Sequence, residues 1–320
     1  LSNIETTKKK LIALQSQGYE FLNELNSLKD KGFKLFDEIG KVQNEMVNTS
    51  CPTVSESLHE RIFLPNALSV DFGAEQDRPD FTTADVTSLT QSIGGSYWYE
   101  GNLDALSVKT IDGLKALEAE HVPTPNGNTQ GTEIIFFGVD LIPDWPTRMT
   151  LAQCIYLPDG FDFAPRAGAT AKLGFGIRSR ALSTGAGASP EGFSSRSIYR
   201  LASGVPFWGG YTYSGTGTSF SDQMTNVQVV TGEWIEFAQE IVMNSAYGVA
   251  DGSLKIFIDG NLELAVNNIN WIQQQRVGDP VVPSIAGLSF DSFHGGSNDP
   301  LYSPATTQYP SYGQVRLEYS

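Results

Sequence analysis

The chain is poor in cysteine, in histidine and in positive charge. Its 320 residues hold 2 Cys, 3 His and 21 Lys+Arg against 36 Asp+Glu. Cys51 and Cys154 allow one disulfide or two buried thiols, and without a C-x-x-C pair or a Cys/His cluster no zinc site is expected. His59, His121 and His294 lie far apart and no Gly-x-Ser-x-Gly elbow is present, which disfavours a Ser-His-Asp hydrolase. A formal net charge of −15 argues against a nucleic-acid partner, because phosphate binding needs extensive Lys/Arg contact. No apolar run approaches the roughly 18 residues of a membrane span. No secretory leader is evident, although a chain beginning at Leu1 reads as a processed form. No cofactor is expected.

What the chain does have is strand and turn material. It is 40% hydrophobic and carries 32 glycines and 16 prolines. Strands are expected near 133–139, 148–157, 171–179, 193–201, 210–214, 234–243, 254–259, 284–290 and 313–319. Asp259-Gly260 between two apolar runs predicts a hairpin. Many strands with few helices after residue 120 imply a mainly β, two-sheet sandwich. Glycine-rich stretches at 181–192 and 214–222 read as loops.

Positive charge is gathered in one place. Between Arg166 and Arg200 stand six Lys/Arg residues and a single acid, Glu191, a local balance of +5. A strand sends residues i, i+2 and i+4 to one face, so Lys172 and Arg178, then Ser194, Arg196 and Arg200, then Tyr211 and Tyr213 can share one sheet surface. In an acidic protein such a surface is suited to an anion. A solvated strand face gives the same charge pattern, and tyrosine pairs on strands are often packing residues. A phenol beside guanidinium and ammonium groups can instead have its acidity raised, which makes it a candidate for proton transfer.

Five segments occur in a telling order. They are Tyr156-Leu-Pro-Asp-Gly-Phe161-Asp-Phe163, Lys172-Leu-Gly-Phe-Gly176, Gly192-Phe-Ser194-Ser-Arg196 running to Tyr199-Arg200, Tyr211-Thr-Tyr213, and Ser292-Phe-His-Gly-Gly296-Ser-Asn-Asp-Pro300. Together they resemble polysaccharide lyase family 14 over roughly residues 95 to 320. The resemblance implies a β-jelly roll and β-elimination of a uronate polymer such as alginate or a glucuronan. It implies Lys172, Ser194, Arg196, Tyr211 and Tyr213 as catalytic groups. Arg178, Arg200, Trp208 and His294 are the accompanying substrate-binding candidates.

The chemistry asks for these residue types. The carbon next to a uronate carboxylate is too weak an acid to lose its proton unless a cation grips the developing enediolate. Arg196 suits that role through its planar fork, with Lys172 as a point charge beside it. Tyr211 or Tyr213 then serves as base, and Ser194 orients the carboxylate. Hydrolysis would need two carboxylates flanking the bond, for which Glu236 and Glu240, alternating with Trp234, are candidates. His294, beside Gly295-Gly296, reads as a loop residue or a reserve base.

Residues 1–50 follow another rule. Leu11, Leu14, Gly18, Phe21, Leu25, Leu28, Gly32, Leu35, Ile39, Val42 and Met46 repeat at alternating spacings of 3 and 4, a heptad seam. Gly18-Tyr-Glu-Phe-Leu-Asn-Glu-Leu25 recurs fourteen residues later as Gly32-Phe-Lys-Leu-Phe-Asp-Glu-Ile39, so each glycine falls on the seam. A coiled-coil stalk that joins copies of the chain, with a trimer among the candidate states, is expected; one amphipathic helix lying on its own β domain is the alternative. Residues 51–94 read as a connector with short strands at Ile62–Leu64 and Leu68–Phe72. Asn48-Thr-Ser50 is a glycosylation acceptor pattern. The expected partner is an acidic polysaccharide and the expected location extracellular, secreted or on a virion surface. A non-catalytic glycan-binding or fibre protein assembled through the same helices is the competing reading, since a fold does not fix a function.

Overall fold

The computed structural model describes residues 67–70, 96–100, 103–124, 131–137, 145–164, 168–180, 189–215, 220–295 and 300–319. The chain divides into two compact units, Leu1–Thr49 and Ser50–Ser320, and the description concerns the second. The heptad seam and most of the connector lie outside the described residues, as does the expected strand at 62–64.

Fifteen strands are described. They are β1 (Ala67–Val70), β2 (Ser96–Glu100), β3 (Leu106–Ile111), β4 (Leu114–Ala119), β5 (Thr132–Phe137), β6 (Arg148–Tyr156), β7 (Thr170–Arg178) and β8 (Ser194–Ala202). The remainder are β9 (Val205–Tyr213), β10 (Phe220–Gln228), β11 (Trp234–Val242), β12 (Gly252–Ile258), β13 (Asn261–Ile269), β14 (Gly287–Gly295) and β15 (Ser311–Tyr319). Among the described residues the only helical pieces are 3-10 turns at Leu103–Ala105 and Pro300–Tyr302.

The strands form two antiparallel sheets. One runs β13-β12-β11-β6-β15-β4-β3, with β1 also on β15; the other runs β10-β9-β8-β7-β14-β5-β2. Alternation along each strand sends one set of side chains between the sheets. From the second sheet these include Leu173, Phe175, Ile177, Tyr199, Trp208, Leu288 and Phe290; from the first, Leu151, Ile155, Phe237, Leu254, Ile256, Tyr312 and Leu317. The two-sheet sandwich expected from the strand pattern is present, and Ala67–Val70 of the connector joins its sheet.

Turn chemistry sets the registers. A two-residue type I′ hairpin needs positive φ at both positions. Asp259 and Gly260, at φ 48° and 78°, meet that need between β12 and β13. Ser203 and Gly204, at 52° and 83°, do so between β8 and β9. The second turn fixes Ala202 opposite Val205 and therefore Arg196 opposite Tyr211 and Ser194 opposite Tyr213. A slip of one residue would turn all of these to the wrong face.

Several expectations need correction. β2, β3, β4 and β10 were not anticipated; β10 begins at Phe220, inside the stretch read as a loop to 222. β14 continues to Gly295, so His294 is a strand residue rather than a loop residue. Cys154 on β6 is disulfide-bonded, one of the two states the sequence allowed.

Candidate functional site

Three adjacent strands, β7, β8 and β9, carry the expected catalytic residues to the side of their sheet that faces away from the core. Pairing places Lys172 opposite Ile198, Arg178 opposite Ser194, Arg196 opposite Tyr211, and Ser194 opposite Tyr213. Ile198, Tyr211 and Tyr213 form their own apolar cluster there, joined by Met224 of β10. Lys172 Nζ lies 5.1 Å from the Tyr211 ring centroid and 4.5 Å from that of Phe293. The Arg196 guanidinium carbon lies 5.8 Å from the Tyr213 centroid. Tyr213 donates its hydroxyl hydrogen to Tyr211 at 3.1 Å, and the two rings meet edge to face. Each of Lys172, Ser194, Arg196, Tyr211 and Tyr213 is buried, so their charges and dipoles act at low dielectric.

A bulge shapes this face. The register between β7 and β8 shifts between Lys172 and Gly176, and Gly174 adopts φ 83°. Gln153, reaching from β6 of the other sheet, holds the irregular backbone. Its Oε1 accepts from Phe175 N at 2.8 Å and its Nε2 donates to Phe175 O at 2.9 Å. Nε2 also donates to Ser197 Oγ at 2.9 Å, and Ser197 in turn donates to Leu173 O. A core amide thus replaces the ladder bonds that the bulge interrupts.

Sequence reasoning missed two carboxylates on this face. Asp291 of β14 accepts from Arg196 Nε at 2.8 Å and from Ser289 Oγ at 2.7 Å, both on Oδ2. Asp222 of β10 pairs with Arg200. The local balance of +5 therefore does not survive folding, because acids remote in sequence pair with three of the cations, Arg180 with Asp279 being the third. The signal for Asp291 was present in the glycines of Lys172-Leu-Gly-Phe-Gly176. Arg196 on β8 and Asp291 on β14 flank β7, and a Cβ on Gly176 would stand 3.1 Å from Arg196 Cγ and 2.6 Å from Ser195 O. A strand without a side chain at that point lets a long arginine cross it.

The acidity expected of the phenols is also reversed at Tyr211. Burial, followed by the hydrogen bond shared with Tyr213, pushes its pKa above the ordinary value, and the opposing effects of Arg196 and Arg200 do not offset this. Tyr211 at rest is a proton donor throughout the neutral range.

The other candidates are placed differently. Arg178 and Arg200 share the site side of the sheet by register; Arg178 is fully enclosed and Arg200 is held by Asp222. Trp208 points the other way, into the core against Phe237 at 6.1 Å, because it is one residue out of step with Tyr211. His294 likewise faces inward. Its ring stacks on Phe161 at 5.7 Å, and its Nδ1 is 3.1 Å from that of His121. His121 Nε2 lies 2.7 Å from Ser292 Oγ, which lies 2.6 Å from Tyr312 OH. Glu236 and Glu240 sit on β11 in the opposite sheet, and Glu240 is tied to Arg148 and Lys255. The carboxylates named for hydrolysis thus lie away from the tyrosine face, and the two that stand on it, Asp291 and Asp222, are each held by an arginine. No group of three His, Cys, Asp or Glu is placed to hold a metal ion among the described residues.

Comparison with known proteins bears on the family and the fold. A family model described as polysaccharide lyase 14 matches residues 120–315. No curated protein matches the chain. Among solved structures, alginate lyase Aly36B superposes with a TM-score of 0.62 at 17% identity, over 80% of this chain and 98% of that one. The marine PL-14 alginate lyase from Aplysia kurodai gives 0.58 at 15% identity, over 80% and 100%. Alginate lyase vAL-1 from Chlorella virus gives 0.53 at 16% identity, over 74% and 97%. At these identities the solved structures establish a shared fold.

Proposed function

The chain belongs to polysaccharide lyase family 14, and from that membership we propose that it cleaves an anionic uronate polymer of the alginate or glucuronan type by β-elimination. The observation that carries this reading is the meeting of two cations and a hydrogen-bonded pair of phenols on one shielded sheet face. Arg196 and Lys172 neutralise the uronate carboxylate as the enediolate develops, and Ser194 orients it. The tyrosine pair moves the protons. The C5 proton passes to the Tyr213 oxygen, the Tyr213 proton to Tyr211, and the Tyr211 proton to the departing O4. The C4–O4 bond breaks, a C4–C5 double bond forms, and both phenols end as they began. The Tyr213–Tyr211 hydrogen bond and the protonated resting state of Tyr211 favour this relay over a free phenolate. Incubation with alginate and glucuronan should release unsaturated uronate ends that absorb in the near ultraviolet; no such ends from any polyuronate would refute the assignment.

Oligomeric display is a second part of the reading, supported by the heptad seam in residues 1–50. We place the enzyme outside the cell or on a virion surface, joined to copies of itself through that seam. Removal of residues 1–50 should lower the sedimenting mass and leave per-site turnover intact. An unchanged mass rules out the stalk.

A further inference from the structure

Arg196 can grip a carboxylate with both arms of its fork only if the guanidinium is aimed. The Arg196 side chain is 5% exposed and that of Asp291 is 1% exposed. A guanidinium taken this far out of water costs several kcal/mol unless it is paired and hydrogen-bonded. Asp291 provides the pairing, and it does so from a particular direction. The bond enters at Nε, the nitrogen at the root of the fork, after the side chain has crossed β7 at Gly176. Ser289, two residues along β14, donates to the same Oδ2 and restrains the carboxylate. Arginine is thereby held at its root by one strand and at its Cα by another, with the Tyr213 ring beside the guanidinium.

We propose that Asp291 is the positioning residue of this site, holding Arg196 through Nε across the glycine of β7 so that the guanidinium meets the uronate carboxylate in one fixed orientation. The inference rests on the lyase reading and deepens it. A carboxylate within a site for an anionic polymer opposes substrate binding by charge, so what it gives the buried arginine, pairing and orientation together, must exceed what it costs in attraction. That opposition supplies the test. Asp291→Asn keeps the size of the side chain and removes the charge, which makes the face more positive by one. If Asp291 only tempered the field, the variant would bind the polymer more tightly and turn over as before. If it positions Arg196, KM should stay level or fall while kcat drops by about 10²-fold, the scale of a misplaced reacting group.

Turnover, KM and melting temperature would be measured on alginate and glucuronan for the wild type, Asp291→Asn, Asp291→Glu, Ser289→Ala, Arg196→Lys and the Arg196→Lys/Asp291→Asn double variant. Asp291→Glu should recover part of kcat, and Ser289→Ala should lose only several-fold. Lysine has no Nε to hold, so Asp291→Asn should add little further loss in the Arg196→Lys background; full additivity would show that Asp291 acts independently of Arg196 and would overturn the proposal. A wild-type kcat in folded Asp291→Asn would overturn it as well, as would a loss that merely tracks the unfolded fraction. If the wild type itself cleaved no polyuronate, the lyase reading would fall first and this inference with it. An active wild type beside an unimpaired Asp291→Asn defeats the positioning role alone.

Discussion

The outward sides of the two sheets are built from similar parts and reach different states. On the first sheet, Glu240 of β11 is bracketed by Arg148 of β6 and by Lys255 of β12, the latter at 2.8 Å. Those two cations are 41% and 40% exposed, so water shares their charge. On the second sheet the Arg196–Asp291 pair is enclosed on both sides. Exposed pairs contribute about 0–1 kcal/mol and can be exchanged at little cost. An enclosed pair commits both residues, because losing one strands the other in low dielectric. Enclosure, rather than the number of charges, marks the second face as the place for chemistry.

The tyrosines break the comparison most sharply, since the outward aromatic pair of the first sheet, Tyr156 with Trp234, is not a pair of phenols. Tyr211→Phe and Tyr213→Phe retain the rings of the edge-to-face pair and remove one hydroxyl each. At least one should lower kcat by about 10²–10⁴-fold, the usual scale of general acid–base catalysis, with little change in melting temperature. Two fully active phenylalanine variants would end the relay mechanism. The pH profile sharpens the point. Tyr211 must hold its proton to protonate the leaving oxygen, and burial raises its pKa, so the active form persists past the ordinary phenol value of about 10. An alkaline limb of kcat centred below pH 9 would count against Tyr211 as the acid.

Much of this face was legible in the sequence because strand periodicity is a local property. Lys172, Arg178, Ser194, Arg196, Arg200, Tyr211 and Tyr213 could be sorted onto one side by counting in twos, and the β8–β9 pairing preserves that count. The same counting should have removed Trp208, which stands an odd number of residues, three, from Tyr211. His294 was misplaced for another reason: Gly295-Gly296 suggested a loop, whereas β14 continues and its alternation turns the ring inward. β10 was hidden because Phe220-Ser-Asp-Gln-Met-Thr-Asn-Val-Gln228 is mostly polar, as suits a strand at the edge of its sheet. β3 and β4 did leave a signal in Asp112-Gly113, whose φ values of 51° and 83° repeat the hairpin chemistry recognised at Asp259-Gly260. Asp291 and Gln153 could not be found by local counting. One reaches Arg196 across an intervening strand, and the other reaches the β7 bulge from the opposite sheet.

The layer between the faces yields the next effect in size. His121 and His294 are enclosed side by side. Burial, and next the neighbouring His294, holds His121 well below the usual histidine value; burial lowers His294 to about 3 against the opposing influence of Asp162. A histidine depressed in the folded state is neutral there while the unfolded chain takes up a proton. Stability is therefore full above the unfolded value of about 6.5 and declines as pH falls below it, by roughly 1 kcal/mol per pH unit for each histidine. The melting temperature should be level above neutrality and fall steadily between pH 6.5 and 4.5. A flat profile across that window would show that the pair is not neutral and enclosed as described.

The smallest effect is expected on the first sheet, at Glu240→Gln. Burial pushes the Glu240 carboxyl upward, but hydrogen bonds from Lys255 and Arg148 outweigh it and leave the pKa below the usual carboxylate value. The stabilisation is accordingly present above that usual value and is lost as pH falls through the lowered one. Glutamine preserves the shape and can still accept a hydrogen bond, and both cations can turn to water. The cost at neutral pH should be about 1 kcal/mol or less, read from denaturant unfolding, and it should shrink further in high salt. Turnover should stay at the wild-type level, because Glu240 lies on the sheet opposite the tyrosines. A loss of kcat comparable to that of Asp291→Asn would mean that the two faces are not separable, and the distinction drawn from enclosure would fail.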